Sequence, residues 1–354
     1  MVPSRRRLLK GAAALAAWPG AALAQAPVPI ADMHSHYGMI LRRLQMSGFA
    51  DELRAQRVAL VAWKIVADNR WIRSTPTGIE QFREPAPGEL SRFFYDYLDT
   101  VRAYVAENKL RTVLKPADVD ACLAGEAGVV LASEGADFLE GRVENLDAAY
   151  GKGLRHLQLV HYIRTPIGDF QTERPTHNGL SEVGKRLVEA CNAKGILVDL
   201  AHSTPEAVDQ ALEIAKAPLV WSHGWVHPQP GDWRNPYGYL ARRLSLEQAK
   251  KIAGRGGVIG LWGLGLSRPA NGWTVTPRNT DAYADELASL VDKLGADHVA
   301  LGTDMEGVGP NWAVNSYSDV RKVIERLQQK KLGDSVIERV AYGNYARVLR
   351  AVLS

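Results

Sequence analysis

At 354 residues, 46 % apolar and 23 % charged, the chain can bury a core of barrel size, which excludes an intrinsically disordered protein. Its formal charge of +4 comes from one end: residues 1–24 hold Arg5, Arg6, Arg7 and Lys10 and no acid, and removing those four from 43 basic residues leaves 39 against 39 acidic ones. A neutral body excludes the broad positive surface that nucleic acid or anionic lipid would select. The two cysteines, Cys122 and Cys191, stand in no C-x-x-C spacing, which argues against sulfur ligation of a metal.

The first residues read as an address. Ser4-Arg5-Arg6-Arg7-Leu8-Leu9-Lys10 matches the twin-arginine pattern, an Ala-rich stretch follows, and Ala22-Leu23-Ala24 is a small-x-small cleavage signal. The expectation is a twin-arginine signal peptide over 1–24 and a single domain over 25–354, exported to a bacterial periplasm. No stable membrane anchor is expected after cleavage, because no other apolar run reaches the ~18 residues that span a bilayer.

Eight short runs rich in apolar and β-branched residues recur at 30–35, 58–66, 128–133, 154–160, 195–200, 218–222, 257–263 and 298–303. Their nearly unbroken apolar character predicts strands buried on both faces. Amphipathic segments separate them. Residues 180–193 put Leu187, Val188 and Cys191 on one helical face. Helix 205–215 follows Ser203 or Thr204 as cap, 246–253 follows Ser245, and 281–294 follows Thr280. Helices 320–330 and 336–352 close the chain. The alternation predicts an α/β fold, a single closed (β/α)8 TIM-like barrel. Residues 67–127 exceed a minimal crossover and predict extra helices between strands two and three, at 87–107 and 116–123, covering a flank or mouth of the barrel.

In this architecture reactive side chains stand at the C-terminal strand ends. Strand one ends in Asp32-Met33-His34-Ser35-His36, strand three in Ser133-Glu134-Gly135 and strand four in Val160-His161-Tyr162. Strand five ends in Asp199-Leu200-Ala201-His202, strand six in Trp221-Ser222-His223 and strand eight in Thr303-Asp304-Met305-Glu306. Five of the nine histidines therefore fall on one rim, which predicts a metal centre of His34, His36, Glu134, His202 and His223. His34 and His36, two apart on a strand, face the same way. Glu134, one carboxylate among imidazoles, is suited to bridge two cations that share a hydroxide, and Asp304 remains as the acid that moves a proton. With Glu134 as bridge, Lys64 is not needed as a ligand. Asp32 and Asp199 read as strand-end hydrogen-bond partners, Asp199 in support of His202. His177 and His227 lie in Pro-containing loops and are expected at the solvent. Trp221, Trp225, Trp233 and Trp262 fall near the rim.

These segments resemble the membrane (renal) dipeptidase family of dizinc peptidases, over about residues 30–352. The most specific stretches are Gly179-Leu180-Ser181, 195–202, 220–223 and 301–308. Ser133-Glu134-Gly135 is similar to the family's Val-Glu-Gly. Residues 157–161 resemble the segment that ends in the family's substrate-binding histidine. Arg234-Asn235, 11 residues after His223, resembles its Arg-Asn. The resemblance implies two Zn2+ per chain bridged by Glu134 and a hydroxide, with His34 on the first ion and His202 and His223 on the second. It implies that His161 polarises the scissile carbonyl, that Arg234, beside Asn235, grips the substrate's terminal carboxylate, and that Asp304 passes a proton to the leaving amine. The implied partner is a small dipeptide, with a D residue accepted on the C-terminal side; no nucleic acid is implied, and a homodimer stays open. One departure stands out. His34-Ser35-His36 replaces the family's His-x-Asp and removes a negative charge from the first ion. It keeps open another metal-dependent amidohydrolase or lactonase on this site, or a non-catalytic periplasmic binding protein.

Overall fold

The computed structural model describes residues 27–40, 45–228, 236–265, 267–268, 273–274, 278–307 and 312–354. The signal-peptide expectation for 1–24 and the assignments to Arg234, Asn235 and Trp233 lie outside the described residues. All eight predicted strands form: β1 (Ile30–Ser35), β2 (Val58–Val66), β3 (Gly128–Glu134), β4 (Leu154–Gln158), β5 (Leu197–Asp199), β6 (Val220–His227), β7 (Val258–Leu261) and β8 (Val299–Leu301). They pair in parallel in chain order, and β8 returns to β1, so the barrel is closed. Every residue of β1, β2 and β3 is buried, which explains why these strands lack polar alternation.

The helices follow their caps. Ser181 accepts the Val183 and Gly184 N–H groups ahead of α5 (Glu182–Lys194), and Thr204 accepts that of Ala207 ahead of α6 (Pro205–Ile214). Ser245 accepts the Gln248 N–H ahead of α7 (Leu246–Gly254). The cap of α8 (Thr280–Leu294) is Asn279, not Thr280: the Asn279 side chain takes the Ala282 N–H, and Thr280 becomes the first helical residue. The predicted helix over 336–352 divides into α10 (Asp334–Glu338), a π-helical turn at Arg339–Gly343 and α11 (Asn344–Leu353). The extra helices between β2 and β3 are α2 (Glu89–Glu107) and α3 (Pro116–Leu123). α2 lies on the flank, where Phe94 stacks on Phe138 with ring centroids 3.7 Å apart.

Two features close the barrel from within. Tyr345, Val348, Leu349 and Val352 of α11 pack with Ala31, Leu60, Val130 and Val258 and seal the mouth opposite the strand ends. Halfway up, Lys64 and Asp199 form an ion pair of 2.7 Å with both side chains fully buried. Asp199 also accepts the N–H groups of Ala201 at 3.0 Å and Ser222 at 2.9 Å. It therefore ties β5 to β6 instead of supporting the His202 ring. Burial opposes ionisation of Asp199, but Lys64 outweighs it and holds the carboxyl well below the usual carboxylate range. Lys64→Met would leave this carboxylate buried without its counter-charge. Urea unfolding should record a loss of about 3–5 kcal/mol, as for other broken buried pairs; a loss below about 1 kcal/mol, the scale of an exposed pair, would refute the role given to Lys64.

Candidate metal centre

The site begins with a slip in the sheet. Between Asp32 and Ser35 the β1–β2 register shifts by one residue. Such an irregularity re-aims a side chain. Met33 packs inside the barrel, and His34 also turns inward, its Nδ1 2.8 Å from Ser222 Oγ. Asp32 points the other way and accepts Thr303 Oγ1 at 2.6 Å and the Tyr317 hydroxyl at 3.2 Å, tying β1 to the end of β8.

Five imidazoles then meet one carboxylate. Glu134 Oε1 lies 3.4 Å from His34 Nε2, 3.2 Å from His202 Nε2 and 3.5 Å from His223 Nε2. Glu134 Oε2 lies 2.9 Å from His36 Nε2 and 3.5 Å from His161 Nε2. Two ligand groups result, His34–His36–Glu134 and Glu134–His202–His223, and they share Glu134. Ligand atoms ~2.1 Å from zinc at tetrahedral angles stand ~3.4 Å apart, and these spacings fall around that value. His202 supplies a second indication: both its ring nitrogens are buried and without a hydrogen-bond partner among the described residues.

The electrostatics suit ligation. Burial lowers the pKa of His34, His202 and His223, which keeps these imidazoles neutral. Arg242 adds to the effect at His202, and His34 at His223. His36 goes the other way. Burial opposes its charge, but Asp304 and Glu134 outweigh burial and push it up to about 10. His36 Nε2 therefore faces two carboxylates at a place where a cation would compete with a proton. Glu134 is held well below the usual carboxylate range: burial resists, and His161 and His34 prevail.

Three further groups surround the ligands. His161 Nδ1 rests on Asp68, 2.8 Å from Oδ1, and the same carboxylate accepts the Tyr162 N–H. Burial works against a charged His161, but Asp68 and Glu134 together raise its pKa. Arg242, fully buried, lies 3.0 Å from His223 Nε2 through Nη2, donates through Nη1 to Gln171 Oε1 at 2.6 Å, and stands 5.3 Å from the Trp262 ring centroid. Trp262 Nε1 donates to Asp304 Oδ2 at 2.7 Å. The backbone is strained here: His202, Asp304 and Glu306 have φ of 73°, 53° and 60°. Val66, Ile72, Tyr162 and Trp262 are among the walls of the cavity.

The structure therefore brings together His34, His36, Glu134, His161, His202, His223 and Asp304. Glu306 turns to the Gly38 N–H instead, at 2.8 Å. Exposed His177 bonds to the Thr165 carbonyl oxygen; His227 is half-buried at the end of β6. Trp225 stacks on Trp262 at 4.4 Å, and Trp221 belongs to the outer core. Sequence reasoning missed Asp68 and Arg242. Asp68 follows β2 by two residues, so the strand-end rule could have found it. Arg242 sits beside Arg243 just before the Ser245 cap, where nothing in the sequence separates it from Arg234.

A closed parallel barrel whose strand ends converge histidines and carboxylates defines a metal-dependent hydrolase. The chain belongs to the membrane dipeptidase family, Peptidase family M19, whose model matches residues 29–354. It is 26 % identical to Dipeptidase tcpJ of Claviceps purpurea over 65 % of its own length, and the match spans 52 % of that protein, about half. In fold it is similar to the crystal structure of the metallopeptidase dipeptidase AC (TM-score 0.76, 21 % identity, 93 % of this chain and 100 % of that one). It is similar too to a metallopeptidase from Rhodobacter sphaeroides solved with a phosphinate mimic of L-Ala-D-Ala (TM-score 0.72, 21 % identity, 92 % and 99 % covered).

The loop between β4 and α5 carries Gln171, the partner of Arg242, and is pinned by Asp169. That carboxylate accepts the N–H groups of Thr176, His177 and Gly179 at 2.7, 3.0 and 2.9 Å. Burial raises its pKa, and these donors together outweigh burial and lower it. A depressed carboxyl stabilises the fold above its unfolded value of about 3.9, and the contribution disappears as pH falls through the folded value. Unfolding free energy measured from about pH 5 downward should fall less steeply in Asp169→Asn than in wild type; equal slopes would contradict this role.

Proposed function

We propose that the protein is a binuclear metallo-dipeptidase, exported by the twin-arginine route, that hydrolyses the single peptide bond of a dipeptide. The observation that carries this reading is Arg242. Its buried guanidinium lies 3.0 Å from the ligand nitrogen His223 Nε2, and a carboxylate gripped so near the cations would limit the substrate to a single C-terminal residue. We assign the carboxylate grip to Arg242; Arg234, expected in that role, lies outside the described residues. The mimic bound to the Rhodobacter relative supports a D residue at the C-terminal position as an accepted substrate.

Bound divalent cations, with zinc the ion this donor set suits, would supply Lewis acidity and a water acidic enough to attack at neutral pH. His34, His36 and Glu134 would hold one, and Glu134, His202 and His223 the other. The chain's own groups do the rest. Arg242, braced by Gln171, binds the substrate carboxylate. His161, fixed at Nδ1 by Asp68, presents Nε2 to the carbonyl oxygen and stabilises its developing charge. Asp304 and His161 are the two groups able to move a proton to the leaving amine. The apolar walls exclude bulk water and strengthen each of these interactions. His36 in place of a carboxylate favours a second reading, another amide or a lactone as substrate on the same site.

A panel of dipeptides with L and D residues at the C-terminal position tests the proposal. Cleavage that a chelator abolishes and zinc restores is expected; no cleavage of any dipeptide by zinc-loaded protein would move the assignment to the second reading. Arg242→Met should raise KM for dipeptides by roughly 10²-fold, the worth of a charge-assisted pair, yet leave the weaker turnover of dipeptide C-terminal amides nearly unchanged. Asp68→Asn should lower kcat by about 10²-fold with little change in KM, since it releases His161 from its orientation.

A further inference from the structure

Asp304 stands against the two histidines of the first ligand group. Its Oδ1 lies 3.1 Å from His36 Nε2 and 3.6 Å from His34 Nε2, and those two nitrogens are 3.1 Å apart. Glu134 approaches the same two nitrogens through different oxygens, Oε2 2.9 Å from His36 Nε2 and Oε1 3.4 Å from His34 Nε2, so both carboxylates flank the imidazole pair. We propose that Asp304 completes the first cation site, with His34, His36 and Glu134, and supplies the carboxylate that His36 displaces. The inference rests on the two-cation reading above.

The carboxylate is held in place for this role. Its other oxygen, Oδ2, is engaged by Trp262 Nε1 at 2.7 Å. Its backbone N–H donates to the His34 carbonyl oxygen at 2.8 Å, which locks the two chain segments together in spite of the left-handed φ of 53°. Gly307 packs against it so closely that a Cβ there would lie 2.5 Å from Oδ1 and 2.8 Å from Oδ2. The carboxylate is thus fixed on both oxygens' sides, with Oδ1 toward two imidazole nitrogens.

Charge balance leads to the same assignment. As cation ligands both imidazoles would bind in their neutral form, and Glu134 would be shared between the two cations. Without Asp304 the first dication would bring an almost uncompensated charge into a buried site, at severe cost. With it, the first site has four protein donors and the second, Glu134–His202–His223, has three. The open coordination position then belongs to the second site. Proton transfer falls to the other candidate, His161 on Asp68.

The test counts metal. Wild type and Asp304→Asn are equilibrated with buffered zinc, the bound metal is measured by atomic emission, and both affinities are measured by competition with a chromophoric chelator. Wild type should hold close to two ions per chain, and Asp304→Asn close to one, with one affinity weakened by more than about 100-fold and the other kept. Trp262→Phe, which frees Oδ2 but keeps the carboxylate, should weaken only that same ion, by about 10-fold. His36→Asp added to Asp304→Asn should restore the second ion. Thermal unfolding of each metal-free variant shows that the fold survives. Two ions on Asp304→Asn with both affinities within about 3-fold of wild type, and kcat alone reduced, would overturn the inference and return Asp304 to proton transfer. Fewer than two ions on wild type would overturn the two-cation reading itself, and the assignment of Asp304 with it.

Discussion

Glu134 is a carboxylate at the end of a barrel strand, almost out of reach of solvent, with the Nε2 atoms of five histidines within 3.5 Å of its two oxygens. A buried anion of this kind is costly unless positive or strongly polar partners surround it on every side. The barrel meets that demand by geometry. Four strand ends from separate parts of the chain converge on one carboxylate, and each delivers one or two imidazoles. Remove the convergence and neither ligand group exists, because each of them uses Glu134.

Beneath this layer the barrel holds a second set of buried charges with a purely mechanical task. Lys64–Asp199 joins β2 to the β5–β6 edge, and Asp32 joins β1 to the Thr303 end of β8 and to Tyr317 on the outside. Burial drives Asp32 up to about 6 even though several donors oppose it, which shows how dry this layer is. These contacts set the positions of the strand ends to within a hydrogen bond's tolerance. They also offset the backbone strain stored at His202 and Asp304, where a left-handed φ aims the side chain into the centre.

His36 brings an imidazole where the family pattern has a carboxylate. Its Nε2 lies 2.9 Å from Glu134 and 3.1 Å from Asp304. What changes is the balance of charge around the first ligand group. The buried guanidinium of Arg242 adds a positive charge on the opposite side, beside His223. Negative charge at the centre is therefore concentrated in few groups, and each of them matters more for it.

The eight strands, the capped helices, the two extra helices and seven of the site's residues were legible in sequence. Strands buried on both faces read as unbroken apolar runs, caps have a local chemistry, and a parallel barrel places whatever follows each strand on one rim. The sequence by itself determined that histidines and carboxylates share that rim. It could not order them in depth. Asp199 and His202 lie three residues apart, yet Asp199 turns down to Lys64 and leaves His202 to the centre. Arg242 and Arg243 are neighbours, and only the first is fully buried against the ligands. The role of Asp68 depends on meeting His161 from 93 residues away. Direction and depth are decided by the register slip in β1, by strained φ angles and by which buried charge finds which partner. Those are properties of the closed barrel, because each is fixed by contacts between segments far apart in the chain.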